Sequence, residues 1–203
     1  MAKPRLIYFD APVSRGEECR LALHLSGVDF EDVRLKGQDW PALKPQTPFG
    51  GLPLFEIPGK PVLAQSNAIL VFIGRTHGLH PKDDFEAAQH EAVMQYVEEL
   101  RTLVGATLRI QDAAEKKKAR EALAATTIPE WGARAERVIE RGPFFAGEKL
   151  HVVDLKLHSI VRWFASGALD HIPKTVFADF PKLNGVYDAV REHPGVKAWY
   201  AKP

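Results

Sequence analysis

Cysteine is almost absent from this sequence: Cys19 is the only one in 203 residues. A lone thiol excludes an intramolecular disulfide and any zinc cluster built from cysteines. An excess of one charge is lacking too, since 27 Lys and Arg face 26 Asp and Glu, a formal charge of +1. Such a balance offers no basic face to displace counterions, which excludes a nucleic acid as partner. The longest apolar stretch, Ala68 to Ile73, falls far short of the ~20 residues that cross a bilayer, so no membrane span is expected. The start, Met1-Ala2-Lys3-Pro4-Arg5, leads into a short β-prone run and not into a signal-peptide core. No unit of about 20–50 residues repeats. What is present, 45% apolar residues, suits a globular fold and excludes disorder as the main state. A soluble, cytoplasmic protein of one or two domains is expected.

Residues 1–80 carry the punctuation of an α/β unit. Arg5-Leu6-Ile7-Tyr8-Phe9 reads as a strand that stops at Asp10-Ala11-Pro12. Ser14 with Glu17 predicts a capping box opening a helix that carries Cys19, Leu21, Ala22 and Leu25 and ends at Gly27. Phe30 to Leu35 alternates as a second strand, and strand–helix–strand at this spacing implies a parallel pair. After the proline-studded segment Trp40 to Pro48 come two short strands, Leu52–Glu56 and Pro61–Ala64, joined through Pro58-Gly59 as a hairpin. Ser66 then caps a helix over 67–77, closed by Gly78. The order β-α-β, β-β-α is the thioredoxin-like arrangement.

From Phe85 onward the pattern is helical throughout. Long segments are predicted over 86–110 and 113–141, then shorter ones at about 152–168, 179–191 and 194–201. The run Lys116-Lys117-Lys118 reads as a solvated helix face. The predicted organisation is an α/β domain over 1–80 and an all-helical domain over 85–203.

Two motifs narrow the reading. The segment Trp40-Pro41-Ala42-Leu43-Lys44-Pro45 through Thr47-Pro48-Phe49-Gly50 to Leu52-Pro53 is one, and Leu63-Ala64-Gln65-Ser66-Asn67-Ala68-Ile69-Leu70 is the other. Together they resemble the glutathione site of the glutathione transferases, whose plan is a thioredoxin-like domain followed by a helical one. The likeness runs from Leu6 to the Val196-Lys197-Ala198-Trp199 ending and points to tyrosine-type members, the sigma class in particular. It implies glutathione as co-substrate, no metal, and a detoxifying attack on small hydrophobic electrophiles. A glutathione-dependent isomerase or peroxidase, and a non-catalytic binding protein, are the alternatives on the same fold.

The chemistry can be reasoned from the residues as well. A cysteine thiol has a pKa of about 8.5, yet the thiolate is the nucleophile, so an enzyme must hold the peptide and stabilise its sulfur anion. Gln65-Ser66 stands where a hairpin turns into a helix, an anion site made of backbone N–H groups and a hydroxyl. The resemblance gives this site the γ-glutamyl carboxylate. It makes the Leu52-Pro53 bond cis, leaving the Leu52 backbone to pair with the cysteinyl unit. It sets Lys44 and the Trp40 indole near the glycyl carboxylate. Gly51 departs from the glutamine common at that point in relatives.

Tyr8, near the carboxyl end of the first strand, and Ser14, at the start of the first helix, both qualify as activators of the sulfur. The Tyr8-Phe9 pair and its spacing to Arg15 and Arg20 resemble tyrosine-type members with one extra residue in the loop. Tyr8 is therefore the expected activator, with Arg15 facing the sulfur. Cys19 lies more than a turn inside its helix and reads as packing.

By position, Val13, Val104, Leu108 and Arg109 are expected near the electrophile. His151, Asp154 and His158 share a helix face, but the expected reading is half of a capping box: relatives carry a hydroxyl where His151 stands, and Asp154 still reaches back to the His151 N–H. The resemblance also implies a two-fold homodimer, with Phe49 entering a pocket of the partner and Glu99 reaching the partner's glutathione. Alternatively, Glu98, Glu99 and Arg101 form a solvated face.

Overall fold

The computed structural model describes residues 2–140 and 142–201. Arg141, the expected end of the second long helix, and Met1 lie outside them. Two compact units are present: one takes in the described residues up to Ala87 and from Pro194 on, the other Ala88–His193.

The first unit is built on a four-stranded sheet. Strand β1 (Arg5–Phe9) is followed by helix α1 (Ser14–Leu25) and strand β2 (Glu31–Leu35). β2 lies parallel to β1, as a crossover through a helix requires. The short α2 (Trp40–Leu43) lies between two 3₁₀ turns and leads to β3 (Leu54–Glu56), β4 (Leu63–Ala64) and α3 (Ser66–His77). The sheet order is β2-β1-β3-β4, with β3 antiparallel to both neighbours. One face buries Ile7, Leu54 and Ala64 under Leu43 of α2, with Leu52 packed beside them. The other face meets α1 and α3, which pack on each other. Gly78, at φ 76, closes α3 in the left-handed conformation that spares the last carbonyls.

The cap of α1 differs from expectation. Ser14 is the first helical residue, at φ 58, and Val13 is the N-cap, with no side-chain cap bond. Glu17 is withdrawn from the capping box because its carboxylate has stronger partners. It accepts from Trp199 Nε1 at 2.8 Å and from Arg20 Nη1 at 3.3 Å. Trp199 belongs to the last helix, α9 (Pro194–Tyr200), which packs on α1; its indole stacks on Phe30.

The second unit is helical. α4 (Asp84–Thr107) enters it from the first, and α5 (Ala113–Ala122), α6 (Ile128–Val138), α7 (Val152–Ala165) and α8 (Pro181–Glu192) follow. The expected helix over 113–141 runs unbroken from Ala113 to Val138, with a π-helical turn at Leu123–Thr127 between α5 and α6. Pro129 accounts for the turn: it has no N–H for the carbonyl four residues earlier, and its ring crowds that turn, which widens instead. α5 opens with Asp112 accepting from the Glu115 N–H at 2.8 Å. Among the described residues no helix is long and apolar enough to cross a membrane.

At the start of α7 Asp154 reaches back to the His151 N–H, as expected. Asp154 Oδ2 accepts from the His151 N–H and Oδ1 from the Phe145 N–H, each at 2.7 Å. Burial pushes the Asp154 carboxyl up to about 7, and those backbone donors pull against it. Asp154→Ala removes the acceptor from two buried N–H groups and should cost about 2–4 kcal/mol in urea denaturation. The pH dependence has a definite sign. A carboxyl whose pKa is higher folded than unfolded holds more protons in the folded state, so its contribution is largest below about pH 4 and declines as pH rises towards 7. The stability of the wild type relative to Asp154→Asn should therefore fall over that interval; a flat or rising difference would refute the assignment.

Candidate active site

Strand registry gathers the expected residues of the first unit at one end of the sheet. Ile7 of β1 is opposite Leu54 of β3, and Leu54 is opposite Ala64 of β4. One position beyond these paired residues stand Tyr8, the last but one residue of β1, Pro53, just ahead of β3, and Gln65, just after β4, at the same end of the sheet. Tyr8 is buried at the carboxyl end of β1, with its ring edge-on to Phe9. The Leu52-Pro53 bond is cis. A proline just ahead of β3 removes no donor from the ladder.

Gln65 and Ser66 depart from expectation by one position. Gln65, not Ser66, is the N-cap of α3, and it stands exposed at φ 73, ψ 116. That left-handed backbone costs a non-glycine residue on the order of 1 kcal/mol or more, and such outliers cluster where ligands bind. Ser66 is the first residue of α3 and is buried. The first N–H groups of an α-helix have no partner inside it and carry the positive end of its dipole, so this corner suits a carboxylate.

On the same side, Trp40 opens α2 with its ring 5.9 Å from that of Phe9, edge to face. Lys44 follows α2 directly and is exposed, its stem passing Gly50, which sits at φ 64. The unit thus assembles a phenol, an indole N–H, a lysine cation and a helix start. That set can hold an extended dianionic peptide and donate a hydrogen bond to an anion among them.

The remaining expected residues stand as follows. Val13 is 47% exposed ahead of α1, and Arg15 is half-buried in its first turn. In the second unit, Val104 is buried on α4, while Leu108 and Arg109 follow that helix exposed. Glu99 is exposed on α4. Its neighbours are not a solvated face, however. Glu98 Oε1 accepts from Lys156 Nζ at 2.6 Å and from Arg101 Nη1 at 2.9 Å, and both cations are buried. Cys19 is fully buried in α1.

Sequence reasoning used Arg20 only as a spacing marker, and its role is larger. With no side-chain exposure, its guanidinium donates to the carbonyls of Phe9 at 3.0 Å and Ala11 at 2.8 Å. Nε donates to Asp32 Oδ1 at 2.9 Å, and Glu17 adds a second carboxylate. The same guanidinium lies 5.8 Å over the Tyr8 ring. The available signal was a cation set between Cys19 and Leu21, on the stretch of the helix that carries its apolar residues.

Known proteins resemble this chain along its whole length. Family models for the glutathione S-transferase N-terminal and C-terminal domains match residues 4–75 and 98–203. Glutathione S-transferase 1 of Ascaris suum is 33% identical, over 100% of this chain and 97% of that protein. The structure of prostaglandin synthase D of Nilaparvata lugens superposes with a TM-score of 0.88 at 27% identity, covering 100% of this chain and 99% of that one. A monomeric glutathione S-transferase of Necator americanus gives a TM-score of 0.80 at 27% identity, with 100% and 98% covered.

The Arg20 cluster makes a stability prediction. Arg20→Met leaves the buried Glu17 carboxylate without its cation and should cost about 3–5 kcal/mol in denaturant unfolding. Arg20→Lys keeps the charge but loses the fork that spans the Phe9 and Ala11 carbonyls, and should recover only part of that loss. A neutral Arg20→Met would refute the cluster's role.

Proposed function

The chain belongs to the glutathione S-transferase family and is a glutathione transferase; within that activity we propose that Tyr8 is the group that activates the thiol of glutathione. The observation that carries the assignment is the grouping of Tyr8, Pro53 and Gln65 at one end of the sheet, with the start of α3 beside it. In this reading the first turn of α3, with Gln65 and Ser66, holds the γ-glutamyl carboxylate. The Leu52 backbone beside Pro53 pairs with the cysteinyl unit, and Lys44 with the Trp40 indole holds the glycyl carboxylate. The sulfur then lies near the Tyr8 hydroxyl, which donates a hydrogen bond to the thiolate and lowers its pKa. Arg15 adds positive field from the first turn of α1. The thiolate attacks the electrophilic carbon of a small apolar acceptor, a carbon–sulfur bond forms, and the leaving group or a proton balances the product. The setting implied is the cytoplasm, where the glutathione poise keeps thiols reduced.

The likeness to prostaglandin synthase D of Nilaparvata lugens favours a second reading, in which the same thiolate serves an isomerisation. Aryl halides, isothiocyanates, hydroperoxides and enones, assayed with glutathione held fixed, separate the readings.

Tyr8→Phe should keep glutathione affinity within a few-fold and lose turnover by on the order of 10²-fold, since the hydroxyl acts on the developing anion and not on the peptide. Ultraviolet titration of the bound thiolate should show its pKa rising. If Ser14→Ala abolished thiolate formation and Tyr8→Phe did not, the assignment would pass to Ser14.

The assembly proposed is a two-fold homodimer. Phe49 supports it, being 69% exposed in a glycine-flanked loop, where burial in a partner would contribute roughly 1.5–3 kcal/mol. Glu99, exposed on α4, is proposed to meet the γ-glutamyl amine in the partner's site. The monomeric Necator americanus protein makes the state a matter for measurement. Phe49→Ser should move sedimentation towards monomer and weaken glutathione binding together. A wild type that is monomeric at micromolar concentration with full activity would overturn both halves.

A further inference from the structure

Gly16 stands where the first turn of α1 passes the Tyr8 ring. A Cβ at Gly16 would fall 2.0 Å from Tyr8 Cδ1, 2.1 Å from Cγ and 2.7 Å from Cβ. Carbon atoms in ordinary contact are ~3.5–4.0 Å apart, so not even a methyl group fits. The crowding is at the root of the tyrosine side chain. Swinging the hydroxyl end does not relieve it; the ring must leave its rotamer or the helix must move off the strand.

The helix is not free to move. Arg20, one turn further along α1, is bonded to the Phe9 and Ala11 carbonyls, which flank the exit of β1. Nor does the backbone ask for glycine here. Gly16 lies inside a helix and is not among the residues with positive φ, so local conformation admits any residue. Helix propensity by itself favours alanine over glycine. What remains as the reason for glycine is the space taken by the Tyr8 ring.

We propose that Gly16 is a positioning residue for Tyr8. By carrying no side chain, it lets the ring lie against α1 and so sets where the phenol hydroxyl meets the sulfur of glutathione. The inference rests on the reading of Tyr8 as the activator.

Gly16→Ala tests it in the full-length protein. The kcat should fall by on the order of 10–100-fold, because a misplacement of about 1 Å is enough for such a loss. The pKa of bound glutathione thiolate, read by ultraviolet titration, should rise towards the value in Tyr8→Phe. KM for glutathione should stay within about 3-fold, since Gln65, Ser66 and Lys44 are untouched. In a Tyr8→Phe background, where the activating hydroxyl is already gone, Gly16→Ala should cause little further loss of kcat. Thermal melts read the contact itself: Gly16→Ala should lower Tm in the wild type yet raise it in a Tyr8→Ala background, where the space is vacated and helix propensity prevails. A Gly16→Ala protein that keeps kcat and thiolate pKa, or that raises Tm in the wild-type background, overturns the inference. A Tyr8→Phe protein with full turnover overturns the Tyr8 reading instead, and the thermal cycle still reports whether Gly16 packs against the ring.

Discussion

The first unit depends on a single buried guanidinium. Arg20 has no contact with water, so its N–H groups must find partners within the protein or cost several kcal/mol. The partners it takes are the carbonyls of Phe9 and Ala11 and the carboxylates of Asp32 and Glu17. One residue thereby ties the end of β1, the loop after it, the start of β2 and its own helix. Glu17 extends the tie to the last helix through Trp199. Asp32 extends it to Arg34, which pairs in turn with Asp10. The loop around Tyr8 is held from several directions before any ligand arrives, which is the preorganisation that the proposed role of Tyr8 requires.

A second constraint acts at the same end of the sheet. Two helices begin there with non-glycine residues in left-handed backbone conformations, Ser14 at the start of α1 and Gln65 ahead of α3. Neither helix start gains a side-chain cap from its N-cap residue. Conformational strain and an uncapped first turn are both unfavourable to folding, and both suit an anion. The positive end of each helix dipole favours a ligand that brings its own negative charge. The apolar packing of Leu43 and Leu52 on Ile7, Leu54 and Ala64 supplies the rigid base beneath them.

In the second unit the polar interior serves folding. Asp154 joins the start of α7 to the Phe145 backbone, and Lys156 and Arg101 share the Glu98 carboxylate. Buried Arg120 joins α5 to Thr107, at the end of α4, through Nε and to Asp170 through Nη1. Glu98 and Arg120 are charged groups held by partners within the protein, so removing a partner leaves a charge poorly solvated and costs stability.

Much of this was legible in the sequence, because it is written in local signals. Turn residues and apolar periodicity place β1 to β4 and most of the helices. The Leu52-Pro53 and Gln65-Ser66 motifs mark the corner proposed to hold glutathione, since backbone geometry there depends on residue types a few positions apart. The sequence also determines that Asp154 bonds the His151 N–H, a contact within one helical turn. Other features depended on partners distant in the chain. Ser14 and Glu17 spell a capping box, but Glu17 is claimed by Trp199, 182 positions away, and by Arg20. The helix over 113–141 is continuous to Val138 as read, but its pattern does not announce the π turn ahead of Pro129. Periodicity predicts α9 without saying that it packs on α1. That Arg20 is a hub and Gly16 a clearance for the Tyr8 ring follows only from how close α1 lies to β1. Local pattern specifies which elements form; which polar group wins a contested partner, and where no side chain fits, is decided by distances between elements that only the folded chain sets.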